Sequence, residues 1–319
     1  MPLPLGIRIM NSTLVCVVCD RDLWNFELLV RSIGKFMDPC RLIFIYNEER
    51  SKYKFFKEWY YATCAPVIKK FNTKLYHKDI LFGDYDLDDV EHRLYTEPIY
   101  DQQLLKLFVH TLVETEYYTV FDCKNFITKP CRLTNIKQTK PENIAYADHY
   151  LRNWCMVCCA KLDVRYRGVE HLYLSSNITP FVMHKKTVAK LIKHFKGKKE
   201  LHKWMLSWCG DDSNMAEFYL YEIFCISKNV QDPGQVPGNS LTIWEHCFKD
   251  PRMLKGLTWY VKTREEKAKF LEFEYYVSGF HTHTRKYLEP AEIYELLEYW
   301  KMEDCWPERG CPFKKTVLR

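Results

Sequence analysis

The chain has 319 residues, 47% of them hydrophobic and 16% aromatic, enough to bury one large core, which excludes a disordered or fibrous chain. A net charge of +6 is modest for this length and does not match a dedicated nucleic-acid binder. No stretch reaches the roughly 18 apolar residues of a membrane span, and the first apolar run meets Asp20, Arg21 and Asp22 without a small-residue cleavage site, so a cytoplasmic protein is expected.

In chain order, Ser12 to Asp20 ("STLVCVVCD") is an apolar run of strand length. Asp22 to Phe36 follows with Leu23, Phe26, Leu29, Val30 and Ile33 at helical spacing, and Arg41 to Glu48 repeats the strand pattern. Strand, helix, strand with short connections predicts the opening of a mainly parallel α/β sheet with helices on both faces. Ser51 to Lys70 reads as a helix running towards a short strand near Ala65 to Phe71. The acidic stretch Gly83 to Pro98 reads as a loop.

Tyr100 to Thr115 is an amphipathic helix that leads into a strand at Tyr117 to Phe121. Beyond it, further strands are predicted in "ENIAYADHYL" and around "SSNITP", helices at "VAKLIKHF" and Asp212 to Ile226, and a loop at Asp232 to Ser240. A strand-like "EFEYYVSGFHTH" precedes a last helix, "EPAEIYELLEYWKM", whose proline suits a first turn. One continuous domain is expected, residues 1–285, with 286–319 as a C-terminal helical extension packed on it.

The fourteen cysteines lie in a chain without a secretory pattern, several inside apolar runs, and read as reduced core thiols. Cys155, Cys158 and Cys159 have partial zinc spacing, yet their apolar neighbours favour the core. Cys16 and Cys19 fall on opposite faces of a strand and make no metal pair.

The chemistry converges after the strand at Tyr117. Asp122 ends that strand at the carboxyl edge of the sheet, where open α/β sheets bind ligands, and the preceding helix carries Gln102, Gln103 and Lys106. This grouping suits a charged, polar ligand. The competing reading makes Asp122 a turn cap, with Lys106 and Lys124 ordinary solvated lysines. Neither GxGxxG nor GxxxxGK[ST] occurs, which argues against dinucleotide and P-loop sites.

The stretches "VCVVCDRDLWNFELLVRSIGKF", "YDQQLLKLFVHTLVETEYYTVFDCKNFITKP", "SSNITPFVMHKKTVAKLI" and "NMAEFYLYEIF", in this order, resemble a family of poorly characterised bacterial and phage proteins grouped with GT-A-fold glycosyltransferases. The resemblance spans residues 12 to 285. It implies a Rossmann-like GT-A fold and sugar transfer, hexosyl or pentosyl, from a nucleotide-diphosphate donor to a saccharide or acidic acceptor.

In such enzymes a strand ends in an Asp-x-Asp motif whose carboxylates hold a divalent ion on the donor diphosphate, and hard oxygen ligands suit Mn²⁺ or Mg²⁺. Here the motif reads Asp122, Cys123, Lys124, Asn125, without the second carboxylate. Two readings follow. Either Asp122 holds the metal with His281 and His283, which alternate on an extended segment and share a face, or Lys124 neutralises the diphosphate without metal.

The resemblance further implies that Asp20, Asp22 and Asn47, at the same edge, read the nucleoside, with Asp22 alternatively an N-cap. Lys106, Lys124 and Asn125 would contact the donor. Glu217 is the expected acceptor-side base if transfer inverts the anomeric centre, with Asp212 and Asp211 next. The lysine-rich segment His184 to Trp204 would steer an anionic acceptor, nucleic acid included. Two alternatives accompany this reading: a phage-type enzyme acting on a hydroxylated DNA base, and a non-catalytic carbohydrate- or nucleic-acid-binding protein on the same fold.

Overall fold

The computed structural model describes residues 12–83, 98–136, 141–143, 149–166, 173–175, 179–207, 217–230, 277–279 and 290–308. Within these, four parallel strands form most of one sheet: β1 (Ser12–Val18), β2 (Arg41–Tyr46), β3 (Asn72–His77) and β4 (Tyr117–Asp122). In space the order is β3, β2, β1, β4, and a short edge strand at Phe181–His184 pairs antiparallel with β4.

β1 sits centrally and is buried along its whole length, which is why its sequence is continuously apolar. Its side chains alternate between two cores. Val15 and Val17 join Ile43 and Ile45 under α3 (Pro98–Phe108) and the helices that follow it. Leu14, Cys16 and Val18 join Leu42, Phe44 and Tyr46 on the face of α1 (Leu23–Phe36) and α2 (Arg50–Trp59). The mixed, mainly parallel sheet with helices on both faces is the architecture expected from the sequence.

Three assignments differ. The third strand lies at Asn72–His77, not at 65–71, where α2 instead continues through a wide turn at Tyr60–Cys64. This strand is an edge and alternates exposed with half-buried side chains, so it carries no apolar run to read. In "ENIAYADHYL" the described strand covers Glu142 and Asn143, as part of Pro141–Asn143 paired with Tyr173–Ser175, and the last three residues open α4 (His149–Lys161). That helix places Cys155, Cys158 and Cys159 in the core, with Cys155 and Cys159 sulfurs 4.0 Å apart. The Gly83 to Pro98 loop, apart from its two end residues, and the Asp232 to Ser240 loop lie outside the described residues.

Further helices among the described residues are α5 (Lys185–His194), α6 (Lys198–Leu206), α7 (Glu217–Ser227) and α8 (Pro290–Tyr299). The segment 290–308 lies against α1. The Glu308 backbone N–H donates to Glu27 at 2.8 Å, Arg31 bridges Glu27 and Glu308, and Trp24 meets Trp306 edge-on at 5.5 Å.

Gly34 marks the closest approach of α1 to the turn after α2: a Cβ there would stand 2.7 Å from both Val67 Cγ1 and the Val67 carbonyl oxygen. Alanine in an exposed helix would gain about 1 kcal/mol over glycine, whereas overpacking against backbone costs about 1–3 kcal/mol. Gly34→Ala is therefore expected to lower the denaturation midpoint in a urea titration. An increase would show that the two segments part freely.

Candidate functional site

The carboxyl ends of β1, β2 and β4 meet at one edge, with Val17 opposite Asp122 and Val18 opposite Tyr46. Two polar clusters stand there.

The first is built on Asp122. Its Oδ1 accepts from Lys106 Nζ at 2.9 Å and from Gln102 Nε2 at 3.5 Å, and its Oδ2 accepts from Lys124 Nζ at 3.0 Å. Lys106 also donates to Glu217 Oε1 at 2.8 Å and lies 5.0 Å from the centre of the Phe218 ring. The side chains are 16% (Asp122), 7% (Lys106), 4% (Glu217) and 13% (Lys124) exposed. Four charges, two of each sign, are thus largely withdrawn from water.

Local structure fixes each member. Tyr118, four residues before Asp122 on β4, donates its buried hydroxyl to the Lys106 carbonyl at 3.1 Å, which pins the end of α3 to the sheet. After Asp122 the chain turns: the Asp122 N–H donates to Asn125 Oδ1 at 2.9 Å, and Asn125 Nδ2 donates to the Thr179 carbonyl at 3.2 Å. Asn125 opens β5 (Asn125–Ile127), which pairs antiparallel with β6 (Val277–Gly279), Asn125 opposite Gly279. Cys123 points inward, its sulfur 3.7 Å from that of Cys16. Lys124 is left to reach back over Asp122.

Burial opposes charge on both partners of the central pair. For Asp122 the attraction of Lys106 and then Lys124 outweighs it and holds the carboxyl well below the usual carboxylate range. For Lys106, Asp122 and Glu217 likewise win and hold the ammonium above its ordinary value. Asp122 and Lys106 are thus both ionised around neutrality.

The second cluster follows β1 and β2. Tyr46 donates its hydroxyl to Asp20 Oδ1 at 2.6 Å, and the Asp20 N–H donates to Glu48 Oε1 at 3.1 Å. Asn47 is buried and braces the loop, its N–H donating to the Val18 carbonyl at 2.8 Å and its amide lying 3.8 Å from Cys19 Sγ. Burial pushes the Cys19 thiol up to about 12, so it stays protonated. Asp22 stands at the N-cap of α1 without a side-chain cap hydrogen bond, 3.7 Å from Arg21. Lys78, just past β3, pairs with Asp101 at 2.7 Å and ties this cluster's loop to the helix bearing Gln102 and Lys106.

Of the residues singled out in the sequence, Gln102, Lys106, Asp122, Lys124, Asn125 and Glu217 come together. Asp20 and Asn47 form the neighbouring cluster, and half-buried Gln103 shows no bond from its amide to Asp122. Glu217, expected to face an acceptor, is instead the buried counter-ion of Lys106. Asp211, Asp212, His281 and His283 lie outside the described residues. Tyr46 and Glu48 were not singled out. Glu48 ends the quoted strand beside Asn47, and a carboxylate in that place was a readable signal.

A divalent ion on Asp122 does not fit the described residues. Both carboxylate oxygens already accept from ammonium groups, and no group of three His, Cys, Asp or Glu is placed among the described residues to hold one. A second positive species would have to enter between Lys106 and Lys124.

Gly279 sets the height of the turn. A Cβ there would stand 2.9 Å from the Lys124 carbonyl and 3.1 Å from Asn125 Nδ2. Gly279→Ala is expected to displace the turn and cost about 1–3 kcal/mol, read as a lower melting temperature. An unchanged melting temperature would show that the turn is not held from this side.

Among solved structures, the chain is similar to mouse xyloside xylosyltransferase 1 in its apo form, with 8% identity, a TM-score of 0.50, and 86% of this chain and 99% of that one covered. It is also similar to the galactosyltransferase LgtC in complex with donor and acceptor sugar analogues, with 8% identity, a TM-score of 0.48, and 93% and 98% covered. The fold is thus of the GT-A glycosyltransferase type. No curated protein sequence matches the chain. No helix among the described residues is long and apolar enough to cross a membrane. A sequence profile matches residues 12–243, from β1 past α7, and by that match the chain belongs to the family of unknown function DUF6492.

Proposed function

We propose that the protein is a glycosyltransferase that moves a sugar from a nucleotide-diphosphate donor to a hydroxyl acceptor. The observation that carries this reading is the ionised Lys106, Asp122 and Lys124 cluster at the carboxyl edge of β4, the ligand edge of a GT-A-type sheet. In the transfer, the bond from the anomeric carbon to the diphosphate oxygen breaks and its electron pair stays on that oxygen. The acceptor oxygen bonds the same carbon, and its proton passes to the departing diphosphate oxygen.

Charge growing on the leaving diphosphate is where preorganised cations act most strongly, because they need no reorganisation at the moment of reaction. Glu217 and Gln102 act here as positioning residues, fixing Lys106 and Asp122. The cluster around Asp20, Tyr46 and Glu48 offers acceptors for the hydroxyls and ring nitrogens of a nucleoside. Residues 1–285 make up the transferase domain in this reading, with 286–319 as its packed extension, and the lysines of α5 and α6 draw an anionic acceptor.

The test is thermal melting and donor hydrolysis with UDP-, GDP-, CMP- and dTDP-sugars. A ligand that binds the native state raises the melting temperature by mass action. One nucleotide sugar is expected to raise it and to be slowly hydrolysed when no acceptor is present. Stabilisation without any hydrolysis would favour a binding module. Duplex DNA binding that weakens steeply with salt would instead identify a DNA acceptor.

A further inference from the structure

We infer that the diphosphate is held and neutralised by Lys124, with Lys106 behind it, in the position where a divalent cation would otherwise act, and that Asp122 serves to aim these two ammonium groups. This rests on the nucleotide-sugar reading above. Three observations carry it.

First, the carboxylate at the end of β4 is saturated by cations from its own chain: Lys106 at 2.9 Å on one oxygen and Lys124 at 3.0 Å on the other. A divalent ion would have to expel one ammonium and then stand beside the other. Second, Lys106 cannot swing away cheaply. It is buried, it bridges two carboxylates, and the Tyr118 hydroxyl holds its backbone. Third, Lys124 stands in a turn whose backbone is fixed on both sides, by Asn125 from within and by Gly279 from β6, and Asp122 holds its ammonium at 3.0 Å, so the charge is at this edge before ligand arrives. Placement in advance is what makes a charged group effective on a developing anion.

The four side chains Lys106, Asp122, Lys124 and Glu217 sum to zero charge, so an arriving diphosphate meets a neutral cluster whose outer cation is Lys124. Lys124 leaves Asp122 in part to bind phosphate oxygen, as a point charge with three donors readily does. The chemical class recognised is a nucleoside diphosphate free of metal.

The experiment measures binding of UDP, GDP, CDP, ADP and dTDP to the full chain by calorimetry, in EDTA and in Mn²⁺, for wild type and Lys124→Gln. At least one diphosphate is expected to bind wild type in EDTA at least as tightly as in Mn²⁺, and Lys124→Gln is expected to weaken it about 10- to 100-fold. Binding that requires Mn²⁺ overturns the inference and leaves the donor-site reading standing. Binding in EDTA that Lys124→Gln leaves unchanged overturns the role of Lys124 alone. No binding in either buffer overturns the inference together with the donor-site reading.

Discussion

Lys106→Met is expected to destabilise the fold by about 3–5 kcal/mol, because it takes the cation away from the buried Glu217 and leaves Asp122 held by Lys124 alone. Methionine matches the length and much of the volume of the lysine stem, so the loss reports charge and not a cavity. The control is Lys106→Met combined with Glu217→Gln, which removes the stranded charge. It is expected to recover a large part of the loss, since stranded charge is the cause. Equilibrium urea denaturation at pH 7 measures both. A double variant no more stable than the single one would show that packing around Phe218, 5.0 Å from the ammonium, dominates.

The same cluster sets a dependence on pH. Asp122 is held below its unfolded value, which is about 3.9, so its contribution is fully present above pH ~4 and is lost as pH falls from there towards its lowered folded value. Lys106 is held above its unfolded value of about 10.4, so its contribution is complete below that pH and is lost only at higher pH. Around neutrality the cluster's stabilisation should be flat. In Lys106→Met the acid-side loss should shrink, because Asp122 then keeps Lys124 but not Lys106 to hold its charge.

Much of this architecture is legible in the sequence where burial is two-sided. β1, β2 and β4 lie inside the sheet and read as apolar runs, and the helices between them carry apolar stripes. β3 does not, since Asn72, Thr73 and Lys74 on an edge have no core to fill on both faces. α4 is harder to read, because exposed Met156 and half-buried Trp154 and Val157 blur the buried stripe of Cys155, Cys158 and Cys159.

At the site, Asp122 and Lys124 follow from the strand ending at the sheet's carboxyl edge. Their partner was harder. Lys106 looks like a surface lysine by its spacing from Gln102, yet it stands within Leu104, Leu105, Leu107 and Phe108, all fully buried. A lysine inside such a run must find counter-ions, and that part was readable. That one of them is Glu217, 111 residues on, was not, because only the packing of α7 against α3 brings the two together.

The second large effect concerns Asp122 itself and separates two chemistries by sign. Asp122→Asn keeps the shape of the side chain and removes its charge. Two charge-assisted hydrogen bonds weaken at once, and at roughly 1.5–3 kcal/mol for a bond to a charged group the fold is expected to lose about 2–4 kcal/mol. Nucleoside diphosphate affinity should move the other way. The cluster's net charge rises from zero to +1, Lys124 is no longer shared, and a unit charge at about 6 Å contributes about 3 kcal/mol at an effective dielectric of 20. Part of that is lost as Lys124 gains freedom, leaving binding in EDTA as tight as wild type or up to about 10-fold tighter. If Asp122 were a metal ligand, the same substitution would abolish binding, since the ion bridging protein and phosphate would lose its anchor. Calorimetry with one diphosphate on one isosteric variant therefore distinguishes a carboxylate that holds a cation for the substrate from one that aims the protein's own.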